Sequence, residues 1–125
     1  MENNKEWFVK MISFPVGVFH LSGDNNWGAL FMSEKCMEVL GCSRLDFIEN
    51  LLSIELLSMS EIPEKTVGMR MEKMKRMEGS CAFVGVRKKE DGSKQYIRGN
   101  LESFPSPDGR CRIYGQIMDI TPQPI

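Results

Sequence analysis

Apolar positions along this chain fall into two periods, one of two residues and one of three to four. Val16 to Leu21 is apolar on both alternating faces, which predicts a strand covered on both sides. Ser22 to Asn26 is a turn cluster, and Trp27 to Met32 returns as the second arm of a hairpin. The period then lengthens. Ser33 is a cap for a short helix, Glu34 to Leu40, with Cys36, Met37 and Leu40 on one face and Gly41 as its stop. Ser43-Arg44-Leu45-Asp46 resembles a capping box and opens a second helix through Phe47 and Ile48. Leu51, Leu52, Ile54, Leu56 and Leu57 are too densely apolar for an exposed helix and predict one or two buried turns. Pro63 suits the first turn of a longer helix, Glu64 to Glu78, stopped by Gly79. Val67, Met71 and Met74 make its narrow apolar stripe, so it lies across a surface.

The remainder reads as three strands. Ser80 to Arg87 carries Cys81, Phe83, Val84 and Val86, and Lys88 to Ser93 is a Gly-containing turn. Lys94 to Phe104 puts Gln95, Ile97, Gly99 and Leu101 on one face and Tyr96, Arg98, Asn100 and Glu102 on the other. Pro105 to Gly109 is a turn, and Cys111 to Thr121 is a last strand that stops before Pro122 and Pro124. At the other end, Glu2 to Ile12 is a short amphipathic helix carrying Trp7, Phe8, Met11 and Ile12, too short to stand without a partner surface. Two strands, several short helices and three strands predict an α+β fold: an antiparallel sheet with the helical insert on one face.

Composition narrows the function classes. The 125 residues fit one domain, with 26% charged and 42% hydrophobic residues. A net charge of −1 provides no field to recruit nucleic acid or an anionic membrane. No apolar run reaches bilayer length, and Met1 to Lys5 is polar with no secretory core, so a cytoplasmic location is expected. Cys36, Cys42, Cys81 and Cys111 fit no zinc spacing and are expected as reduced, mostly buried thiols; no metal site is expected. Ten methionines suit an irregular core or a pocket that changes shape. Catalysis has little to build on. His20 is the single histidine and reads as a core or edge residue of the first strand, and no nucleophile elbow, P-loop or dinucleotide fingerprint occurs.

Several segments together resemble a known family. Phe14-Pro15-Val16-Gly17-Val18 is similar to the Pro-x-Gly opening of the first PAS strand. Ser33 to Ser43 resembles the segment N-x-x-x-x-x-L-x-G-Y-S, with Ser33 for Asn and Cys42 for the aromatic. Ile62-Pro63-Glu64-Lys65 resembles the His-Pro-Glu-Asp start of the long helix, without its His and Asp. Asp91-Gly92-Ser93, Gly115 and the closing Asp119-Ile120-Thr121 resemble the C-terminal half. The order and spacing of these segments, more than any one of them, identify the chain as similar to PAS domains.

The resemblance implies a five-stranded antiparallel sheet of order 2-1-5-4-3, with short helices around a small pocket on one face. It divides the chain into a flanking helix (1–13), the PAS domain (14–121) and the start of a linker (122–125) to an output domain. The implied function is that of a sensory or regulatory domain of a signal-transduction protein, of histidine kinase or diguanylate cyclase type. Any kinase or cyclase activity would lie in the output domain; the alternative is a ligand-free dimerisation module. The small-molecule pocket would be lined by Leu52, Leu56, Val67, Met71 and Met74 from the helical region, with Phe83, Tyr96, Arg98 and Tyr114 as strand candidates. Arg98 would clamp a carboxylate if it pointed inward and would be merely solvated if it pointed outward, and parity alone leaves both readings open. Asp119, Ile120 and Thr121 would relay the signal, with Asp119 fixing the exit geometry. Trp7, Phe8, Met11 and Ile12 would form a homodimer interface or pack on the outer face of the sheet. Haem is disfavoured because Glu64 to Glu78 lacks the family's axial histidine, and covalent flavin because the Asn-Cys-Arg-Phe-Leu-Gln segment of LOV domains is missing.

Overall fold

A computed structural model of the chain describes residues 16–24, 27–57, 64–76, 78–105 and 110–122. The flanking helix with Trp7, Phe8, Met11 and Ile12, the first-turn role of Pro63 and linker residues 123–125 lie outside the described residues. Strands β1 (Gly17–Ser22) and β2 (Gly28–Met32) form the first hairpin, followed by helices α1 (Glu34–Leu40) and α2 (Phe47–Leu52). A two-residue strand, β3 (Glu55–Leu56), precedes helix α3 (Val67–Met74). Strands β4 (Gly79–Lys88), β5 (Lys94–Pro105) and β6 (Cys111–Asp119) complete the chain.

All six strands join one antiparallel sheet in the order β2-β1-β6-β5-β4-β3. Without β3 this is the expected five-strand order, so the correction is one short edge strand. It replaces the buried turns expected around Leu56. Gly85, opposite Leu56, is what permits it, since a β-carbon there would overlap Ile54 and the Glu55 carbonyl. On its other side the same segment meets the approach to α3: Leu56 N–H donates to the Lys65 carbonyl (2.9 Å) and Val67 N–H to the Ile54 carbonyl (2.9 Å). Residues 64–66 are therefore extended, and α3 starts at Val67 rather than Glu64. Thr66 caps it, its Oγ1 accepting from Met69 N–H at 3.1 Å. Ser33 departs from its expected role too, because its Oγ accepts from Val18 N–H (2.9 Å) and makes no cap bond to α1.

The helices cover one face of the sheet, and alternation decides which side chains meet them. Phe19 and Leu21 of β1, Cys81 and Phe83 of β4, Ile97 and Leu101 of β5, and Ile113 and Ile117 of β6 face inward onto Phe47, Leu51, Val67, Met71 and Met74. Phe19 packs edge-on against Phe47, with centroids 5.7 Å apart. Its ring also lies over Gly115 of β6, and the Phe83 ring lies over Gly99 of β5, each glycine being the direct cross-strand partner. Phenyl rings thus fill the space over these two inner-face glycines.

Candidate functional site

The expected pocket residues divide between the two faces of the sheet. Val67, Met71, Met74 and Phe83 are buried on the helical side, with Leu52 and Leu56 half-buried against the same core. Tyr96, Arg98 and Tyr114 have the opposite parity and lie on the outer face. Arg98 is exposed there, so of its two readings the geometry selects the solvated one. No cation of the expected set faces the interior. On the outer face the rings of His20, Tyr114 and Phe104 cluster at tilted angles, with centroids 4.1 Å apart for His20–Tyr114 and 4.8 Å for Phe104–Tyr114. His20 Nε2 is buried without a hydrogen-bond partner, and burial, helped by the nearby Arg112 cation, holds the imidazole pKa below its ordinary value.

The polar chemistry of the domain collects at the opposite end of β6, where the chain leaves the sheet. Gln95, 2% exposed, donates from Nε2 to the Val39 carbonyl (2.5 Å) and to Asp119 Oδ2 (2.8 Å). Its Oε1 accepts from Arg87 Nη1 (2.8 Å), which also donates to the Leu40 carbonyl (2.6 Å). Arg87 Nη2 reaches Asn50 Oδ1 at 3.1 Å. One guanidinium and one amide therefore tie the C-terminal end of α1 and a side chain of α2 to the last residue of β6. A buried amide with every hydrogen committed to an acceptor is costly to disturb, which makes this junction rigid.

From Asp119 the tie continues into the exit. Its Oδ1 accepts from Thr121 N–H (2.8 Å), Thr121 Oγ1 accepts from Tyr96 N–H (2.9 Å), and Ile120 N–H donates to the Tyr96 carbonyl (2.9 Å). Partial burial opposes ionisation of Asp119. The hydroxyl and N–H of Thr121, the Gln95 amide and the Lys89 charge outweigh it and hold the carboxyl below the ordinary aspartate pKa. Beside this junction opens a cleft of about 790 Å³ between the α1–α2 turn and the β4–β5 hairpin. It lies at the end of the sheet, away from the interior where the sequence places a ligand. Its walls set the carboxylates of Glu38, Asp46, Glu90, Asp91 and Asp119 against the cations of Arg87, Lys88 and Lys89, so acidic groups outnumber basic ones.

Arg87, Gln95 and Asn50 were not among the residues singled out from sequence. A signal for two of them was present. Gln95 shares the face of Ile97 and Leu101, and Arg87 shares that of Cys81 and Phe83, so each is a polar side chain in an apolar register that must find partners.

No protein-family sequence model matches the chain, and no curated protein sequence matches it. Solved structures do. A PAS domain from a two-component sensor histidine kinase matches with TM-score 0.52 and 11% identity, covering 95% of this chain and 99% of that one. The fold is that of a PAS domain. The PAS domain of an HTR-like protein from Haloarcula marismortui (TM-score 0.57, 17% identity, 95% and 93% covered) is similar as well. So is that of the fruit-fly ELK potassium channel (0.59, 10%, 95% and 98%). In this PAS fold the polar junction ties the helical layer to the end of the sheet's last strand.

Proposed function

We propose that the chain is a sensory and regulatory PAS module that carries a change in its helical layer to the exit of β6. The observation behind this reading is the continuous line of bonds from the Val39 and Leu40 carbonyls and Asn50, through Arg87 and Gln95, to Asp119 and Thr121. A displacement of α1 or α2 cannot leave the exit unchanged unless one of these bonds breaks. One similar structure is the PAS domain of a sensor histidine kinase, which supports an output of that kind; a diguanylate cyclase is the other output considered. The signal is a small uncharged molecule entering among Leu52, Leu56, Val67, Met71, Met74 and Phe83, where the inward-facing candidates are apolar. Asp119→Ala in the protein carrying the output domain keeps the fold and abolishes regulation of the output. Output regulated as in the wild type would refute the relay.

A second reading has its own observation. Phe19 and Phe83 fill the inner face over Gly115 and Gly99, which favours a module with no ligand, acting by association with a second copy. Native mass spectrometry and thermal shift across small metabolites separate the two, since a ligand-free module shows neither added mass nor a shift. Association through Trp7, Phe8, Met11 and Ile12 is tested by light scattering, where Trp7→Glu with Phe8→Glu turns a dimer into a monomer.

A further inference from the structure

At the end of the domain remote from the exit, one residue adopts a conformation that its own chemistry disfavours. Trp27 begins the second arm of the first hairpin with φ +66, a left-handed backbone that bulky L residues rarely take. Gly28, which would take it freely, is the next residue and does not. Trp27 lies within the turn that Gly28 N–H closes on the Asp24 carbonyl (3.3 Å), so the hairpin imposes this backbone on a residue that disfavours it. The contacts of the side chain hold it there. The indole is 3% exposed and packed in the core with Met71 and Met74, and its Nε1–H donates to Glu72 Oε1 of α3 at 3.2 Å. Lys75, the C-cap of α3, places its Nζ 4.7 Å from the ring centroid and bonds the same Glu72 oxygen at 3.0 Å.

A hydrogen bond and a cation–π contact thus meet on the indole, from two α3 partners that are ion-paired with each other, and join the first hairpin to the C-terminal turn of α3. The helix needs such a fastening. It has eight residues, too few to hold its shape by backbone bonds alone, and its other end is fixed by the Thr66 cap and the pairing to Ile54. We propose that Trp27 is a latch: it holds the C-terminal turn of α3 against the sheet, and its release lets that turn lift and uncover Met71 and Met74. The latch thereby gives the closed interior a defined side on which to open. The inference rests on the reading that input arrives at the helical layer.

Amide hydrogen exchange of the whole chain, resolved by peptide or by NMR, tests it. In the wild type the α3 amides exchange through a local opening, at least about tenfold more populated than the opening that exposes β5 and β6. Trp27→Phe keeps a ring and removes the donor, and raises the α3 opening about tenfold further. Glu72→Ala, at an exposed position, does the same with the indole in place, and gives the answer should Trp27→Phe not fold. One common opening for α3, β5 and β6 in wild type and variant, or unchanged α3 exchange in the variant, overturns the latch. Because exchange of α3 does not depend on Asp119, a failed latch leaves the relay experiment standing, and a failed relay leaves the latch readable.

Discussion

Single side chains here are fixed by what they exclude as much as by what they touch. A β-carbon on Gly115 would overlap the Phe19 ring, which is buried against Phe47 and has nowhere to go. Gly115→Ala is expected to lower unfolding free energy by about 1–3 kcal/mol, read from denaturant midpoints. His20 behaves differently. Its folded pKa lies below the ordinary 6.5, so from pH 6.5 down to that lower value the unfolded chain binds the proton and the folded one does not. Stability therefore falls on acidification through this window and is recovered above pH 6.5. His20→Leu should flatten that part of the stability–pH curve, and a curve as steep as wild type would remove His20 as its source. Asp119 acts with the same sign in a lower pH window. Its depressed pKa keeps its bonds intact above the ordinary aspartate value of 3.8 and loses them as pH falls through its folded value.

At the scale of elements, period and punctuation made most of the structure legible. The alternation in β1 and β5, the turn clusters and the Gly41 stop placed those elements to within a residue or two, and α1 has the expected bounds. Where the reading missed, a long-range partner had overruled local pattern. Leu51 to Leu57 reads as one or two buried turns because density of leucines says nothing of pairing; Gly85 of β4, distant in sequence, turns Glu55–Leu56 into a strand. The same pairing shortened α3 and moved its start to the Thr66 cap. Thr66→Ala should cost about 1 kcal/mol, visible as a lower melting temperature. The polar junction was half legible. Gln95 and Arg87 are polar side chains in apolar registers and so must find partners, yet no local rule names the Val39 and Leu40 carbonyls as their acceptors.

For the molecule as a whole, the two ends of the sheet have opposite characters. One is fastened by the indole of Trp27 to α3, and the other by the Gln95 amide and the Arg87 guanidinium to α1, α2 and the exit. Between them lies an apolar interior filled by Phe19, Phe83, Met71 and Met74. A domain built this way yields at the latched end and transmits at the rigid one. The central claim is that transmission, and amide NMR of the chain itself tests it. Asn50→Ala removes one acceptor of Arg87 at the helical layer, far along the line of bonds from the exit. Shifted resonances are expected at Gln95, Asp119, Ile120 and Thr121, with faster exchange of the Thr121 amide. Changes confined to α2 and Arg87, with Asp119 to Thr121 unmoved, would contradict it.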